Sequence, residues 1–168
     1  PVDDKKEAEE LKVIVAKRSA KDVESIRNHD QEPFYAIRKF CEKKGLIFHD
    51  GEFDQIIDES VPIISHFKKH FNRDRPVEVD KTINTLPSKT NKTKSYPSGH
   101  AAQSRLIARY VAGKFPEHER ELIKAGNECG YGRVQAGFHY VSDYDTGNLL
   151  GEKMYIFMNK ADYKKENE

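Results

Sequence analysis

Apolar residues recur three or four positions apart along most of this chain, and no segment alternates with period two for long enough to argue a sheet. Ala8, Leu11, Ile14 and Val15 predict a helix from Asp3 to about Arg18. Ser19 with Asp22 offers a capping pair for a second helix that carries Val23 and Ile26. Pro33 suits a first helical turn, Phe34, Ile37, Phe40 and Cys41 line one face, and Gly45 stands where a left-handed helix end is usual. The most regular stripe is Phe53, Ile56, Ile57, Val61, Ile64, Phe67 and Phe71, in which Pro62 predicts a kink because it donates no backbone hydrogen bond.

Between Pro76 and Pro97 the pattern dissolves into Thr, Asn, Ser and Lys with few large apolar residues, which predicts a long loop, either functional or a solvated connection. Lys81, Lys89, Lys92 and Lys94 in it could draw anions to a nearby site. Helical spacing then returns. Ser98 can cap a helix to about Gly113 with Leu106, Ile107, Tyr110 and Val111 inward, and Pro116 opens another carrying Leu122, Ile123 and Cys129. A last helix from near Asp143 carries Leu149, Leu150, Met154, Phe157 and Met158.

A length of 168 residues fits one domain, residues 1–168. Charge adds a constraint: 29 Lys and Arg against 28 Asp and Glu give +1, which argues against nucleic acid as a partner. The longest apolar run, Met154 to Met158, is far short of the roughly 20 residues that span a bilayer, so a soluble chain without a membrane span is expected. Cys41 and Cys129 are too few for a disulfide scaffold or a cysteine-built zinc site and are expected as free thiols.

Three short segments carry chemistry. Lys68 follows Ile64 by four and Val61 by seven positions, so it falls on the apolar stripe, where a cation needs an anion; Arg75 comes next, aimed by Pro76. Pro97-Ser98-Gly99-His100 puts unpaired N–H groups at the mouth of a helix, a phosphate-binding arrangement, with an imidazole near a leaving-group oxygen. His139 and Asp143 are four apart, so the carboxylate can hold one ring nitrogen and leave the other unprotonated; Arg133 stands nearby. Each piece alone has an ordinary reading as a snorkelling lysine, a capped helix or a surface pair. His29, His49, His66, His70 and His118 show no paired ligand pattern and no metal site is expected.

Together, in order, these segments read K-x6-R-P at Lys68 to Pro76, P-S-G-H at Pro97 to His100 and G-R-x5-H-x3-D at Gly132 to Asp143. That arrangement resembles the PAP2 phosphatase superfamily, and the wider strings Ser95 to His100 and Arg133 to Asp143 are most similar to the bacterial class A non-specific acid phosphatases. The resemblance implies an all-α bundle of the kind shared by PAP2 phosphatases and vanadium haloperoxidases. It implies cofactor-free and metal-free hydrolysis of a small phosphorylated substrate: Lys68, Arg75, Arg133 and the N–H groups near Ser98 and Gly99 hold the phosphate or a vanadate mimic, His139 attacks phosphorus with Asp143 orienting it, and His100 is the general acid. The alternatives are a vanadium-dependent haloperoxidase and a catalytically silent phosphate-binding module. Gly132 departs from the family pattern, which usually has serine there, and predicts one missing hydroxyl contact. A cytoplasmic location follows if the chain is complete as given, and a periplasmic or secreted one if a signal peptide has been removed. The physiological substrate and the state of assembly, homo-oligomer included, stay open.

Overall fold

The computed structural model describes residues 3–49 and 51–166, with side chains through residue 159. Among the described residues it is all-α. The helices are α1 Asp4–Ala16, α2 Ala20–His29, α3 Tyr35–Lys44, α4 Glu52–Phe71, α5 Pro76–Val79, α6 Gly99–Lys114, α7 Glu119–Gln135 and α8 Val141–Glu166, with a 3-10 turn at Pro116–His118 leading into α7. No described helix is long and apolar enough to cross a membrane.

Local chemistry sets several ends where expected. Ser19 Oγ accepts from Asp22 N at 3.1 Å and Asp22 Oδ2 accepts from Ser19 N at 2.7 Å, a closed capping box on α2. Gly45, at φ 67°, ends α3 in the left-handed region. Pro62 does not interrupt α4: it lies on the exposed side, where the carbonyl that loses its partner faces water. His29 takes a core role. Its Nδ1–H donates to the Ser25 carbonyl at 2.8 Å and its Nε2 accepts from Ala36 N at 3.2 Å, stitching α2 to α3.

Helix α6 is the hub, packed most extensively against α7 and α8. Ile107, Ala108 and Val111 meet Ile37, Phe53 and Leu122, while Ala102 and Leu106 meet Ile64 and Met154. Close approach of these helices rests on small residues. A Cβ at Gly147 would lie 2.6 Å from the Ser98 carbonyl oxygen, and one at Gly151 would lie 2.5 Å from that of Ala102. Gly151→Ala is therefore expected to cost about 1–3 kcal/mol and to lower the thermal midpoint by roughly 2–4 °C per kcal/mol, checked by calorimetry.

Four apolar residues assigned to inward stripes face solvent instead: Val61 and Phe71 on α4, and Leu149 and Phe157 on α8. Both helices flank α6 from outside, so only the arc holding Phe53, Ser60, Ile64 and Lys68, or Gly147, Gly151 and Met154, is covered. Cys41 and Cys129 are buried free thiols in different places in the core.

Candidate active site

Lys68 is buried, as its place on the stripe required, near the end of α4. Its Nζ donates to the carbonyl of Lys94. Gly99 lies next to it, and a Cβ there would meet Lys68 Cε at an ordinary contact distance of 3.8 Å. Asn72, left-handed at φ 48°, ends α4, and Arg75 occupies the extended N-cap position of α5, whose first helical residue is Pro76. From there the buried guanidinium donates from Nε to Thr93 O at 2.7 Å, and from Nη1 to Phe138 O at 3.0 Å and to His139 Nε2 at 2.9 Å.

That last contact settles a tautomer. Arginine only donates, so His139 Nε2 carries a lone pair, and the ring proton sits on Nδ1, which donates to Asp143 Oδ2 at 3.2 Å. Asp143, fully buried in the first turn of α8, also accepts from Ser95 Oγ at 2.5 Å and Tyr140 N at 2.9 Å on Oδ2. His100 obeys the same logic in reverse. Its Nε2 faces the carbonyl of Asp30 at 2.8 Å, so Nε2 carries the proton and Nδ1 is the free position.

Ser98 caps α6, its Oγ accepting from Ala101 N at 3.3 Å. Its own N–H, expected to face phosphate, donates instead to the Asp143 carbonyl at 3.0 Å, because the start of α8 packs against the mouth of α6. Gly99 and His100 head the helix, where N–H groups have no intrahelical acceptor, and the Ser98 hydroxyl keeps a proton to donate. Arg133, buried near the end of α7, donates from Nη1 to Asp30 Oδ1 at 2.7 Å and from Nη2 to Thr90 Oγ1 at 3.2 Å, with its guanidinium carbon 4.4 Å from the centre of the Phe138 ring. At Gly132 a Cβ would stand 3.3 Å from Ile26, so glycine here lets α2 pack closely on α7.

The segment from Ser88 to Lys94 does more than connect. Ser88 and Thr90 meet Arg133, Thr93 meets Arg75 and Lys94 meets Lys68, so all three cations bond to it. Three further residues shape the site without having been singled out in the sequence: Asp30, Ser95 and Arg73, the last donating to Asp143 Oδ1 at 2.8 Å. Asp30 and Arg73 carry no periodic or motif signal, since their partners lie far along the chain, whereas Ser95 could have been suspected from its place just before Tyr96-Pro97-Ser98.

Burial and crowding of like charges dominate the electrostatics. Burial, then Arg75, holds Lys68 down to about 7, and burial, then Arg133, holds Arg75 down to about 10. His139 lies well below the usual imidazole range, first from burial and then from Arg75, Lys68 and Arg133; His100 does so from burial and then Arg133. Burial raises Asp143 against the opposing pull of Ser95 and Arg73. The cluster thus holds neutral imidazoles amid cationic groups crowded enough to depress one another, a field suited to a dianion.

The family profile of the PAP2 superfamily matches residues 59–166, and the chain belongs to that superfamily. A non-specific acid phosphatase of Salmonella typhi is 39% identical over 87 residues, covering 50% of this chain and 35% of that protein. An acid phosphatase of Zymomonas mobilis is 29% identical over 109 residues, covering 62% of this chain and 41% of the relative. The matches therefore span well under half the length of these relatives. In fold, the chain is similar to a transmembrane PAP2-type phosphatidylglycerolphosphate phosphatase from Bacillus subtilis, with TM-score 0.65 and 18% identity over 95% of this chain and 86% of that one.

Proposed function

We propose that this chain, acting as one domain over residues 1–168, hydrolyses small phosphomonoesters without a metal, through a phosphohistidine at His139. The observation that carries the reading is the preset tautomer: the His139 Nε2 lone pair lies 2.9 Å from Arg75 Nη1, while Nδ1–H is held by Asp143 at 3.2 Å. A phosphate oxygen taking the place of that lone pair as acceptor for Arg75 brings phosphorus to Nε2. The names of the Salmonella and Zymomonas relatives, both acid phosphatases, support phosphatase activity.

In the first step Nε2 attacks phosphorus and the P–O bond to the leaving group breaks, with His100, protonated on Nδ1 as well as Nε2 once the dianion is bound, passing the Nδ1 proton to the departing alkoxide. Lys68, Arg75, Arg133 and the N–H groups of Gly99 and His100 neutralise a phosphoryl group of about −1.5 to −2 charge as its oxygens gain charge in the transition state. A dianion beside Lys68 also favours the protonated amine, offsetting its depressed pKa. In the second step the neutral His100 takes a proton from water as the water oxygen attacks phosphorus and the P–N bond breaks, which returns His139 to its lone-pair form.

A panel of phosphomonoesters, nucleotides, pyrophosphate and soluble lipid phosphates, scored for released phosphate, tests the reading. The expected result is turnover of small monoesters, competitive inhibition by orthovanadate, which adopts five-coordinate geometry like the transition state, and no effect of EDTA. Inactivity across the panel would leave a silent phosphate-binding module, and activity lost to EDTA and restored by magnesium or zinc would replace the mechanism.

A further inference from the structure

We infer that Arg73 is a positioning residue for the reaction, fixing the rotation of the Asp143 carboxylate, and that α1 seats Arg73 for this task through Asp4 and Glu7. The inference rests on the His139 and Asp143 roles proposed above. The two oxygens of Asp143 are divided: Oδ2 serves His139, Ser95 and the Tyr140 amide, and Oδ1 accepts from Arg73 Nη1 at 2.8 Å. The same Nη1 donates to Ser142 Oγ at 2.7 Å, so the guanidinium grips two adjacent residues of the α8 first turn.

On its far side, Arg73 donates from Nε at 3.1 Å and from Nη2 at 2.9 Å to Asp4 Oδ1, and from Nη2 to Glu7 Oε2. Its guanidinium carbon stands 3.9 Å from the centre of the Tyr140 ring. The side chain is 9% exposed. A planar fork with five donors can hold three carboxylates and a hydroxyl at once in one orientation, which a lysine cannot. Helix α1 is itself pinned by Ala8, Leu11 and Val15 against Val134 and Tyr140, so the clamp has a rigid base. Residues 4–16 lie outside the 59–166 match, so this support comes from a part of the chain that the family profile does not reach.

The arrangement makes opposite predictions for two changes of charge. Facing the His139–Asp143 pair are Arg73 from the α4–α5 link, Lys68 from α4, Arg75 from the start of α5, His100 from α6, Arg133 from α7 and the phenol of Tyr140; Asp4 and Glu7 lie behind Arg73. Removing the Arg73 charge raises the pKa of the pair whichever member takes the proton, and removing the Asp4 and Glu7 charges lowers it. The acid limb of kcat/KM reports that protonation.

Arg73→Gln is expected to lower kcat by about 10–100-fold, as loss of an outer orienting partner does. It should also move the acid limb upward by roughly half a unit or more, while inorganic phosphate still binds. Arg73→Lys should return the limb to its wild-type position with only part of kcat. The double variant Asp4→Asn, Glu7→Gln, whose amides still offer acceptors to Arg73, should move the limb downward. A reduced kcat in Arg73→Gln with an unmoved limb, or an upward or absent shift in the double variant, would overturn the inference. If Arg73→Gln does not fold by near-ultraviolet circular dichroism, the double variant decides alone. His139→Ala separates the two levels: turnover in that variant sinks the phosphohistidine reading, whereas an inactive His139→Ala with unmoved limbs elsewhere sinks the role of Arg73 only.

Discussion

His139→Ala is expected to lose turnover by on the order of 10⁴-fold or more, because the proposed mechanism forms its covalent intermediate on this group, while the cations proposed to bind phosphate remain. Brief mixing of the wild-type protein with substrate, followed by an alkaline quench, should trap an acid-labile phosphohistidine that maps to residue 139 and is missing from the variant. Phosphate should still protect the variant against thermal unfolding, since Lys68, Arg75 and Arg133 are untouched and a ligand that binds only the folded state stabilises it. A phosphoserine or phosphoaspartate in the trap would assign the nucleophile elsewhere.

His100→Ala should divide substrates by their leaving groups. Alkyl phosphates, whose alkoxide needs a proton, should slow by about 10²–10⁴-fold, whereas p-nitrophenyl phosphate should be largely spared because nitrophenolate leaves with little help. The pH profile carries the same assignment. In the free protein His139 must lack a proton on Nε2 and His100 must carry one on Nδ1, and both are held below the usual imidazole range, so kcat/KM should peak on the acidic side of neutrality. Bound dianion raises the His100 pKa, so the alkaline limb of kcat should lie above that of kcat/KM, and His100→Ala should remove it for alkyl substrates. Equal slowing of nitrophenyl and alkyl phosphates, with phosphohistidine formation still limiting, would end the general-acid assignment.

What could be read from the chain follows from how far apart the interacting residues are. The α2 capping box and the Gly45 helix end are local devices, and both stand where Ser19, Asp22 and Gly45 predict them. Lys68 was legible as buried because helical period alone puts it in line with Ile64. The packing around α6 was not legible, since Gly147 and Gly151 mark the closest contacts by lacking side chains and so add nothing to an apolar stripe. For the same reason Leu149 and Phe157 looked like the inward face of α8, when the face that touches α6 is the small one. Arg73 and Asp30 were silent because their partners at Asp143 and Arg133 lie on other helices. The Ser88 to Lys94 segment reads as a solvated connection by composition, and two of its links to the cations run through the main-chain oxygens of Thr93 and Lys94, which no side-chain pattern reveals.

That segment changes what it means for the site to receive its ligand. Arg75 already spends four hydrogen bonds on Thr93, Phe138 and His139, and Arg133 is committed to Asp30, Ser88 and Thr90. On the proposed function phosphate enters by exchange, displacing acceptors that the protein itself provides, so the affinity measured is the difference between two hydrogen-bonded states. The arrangement directs the buried guanidinium groups before any ligand arrives, and in the proposed reaction it eases product release, because acceptors on Thr93, Phe138, Asp30 and Thr90 take the place of phosphate oxygens. Turnover in such a pocket depends on the ease of that return as much as on the strength of the grip.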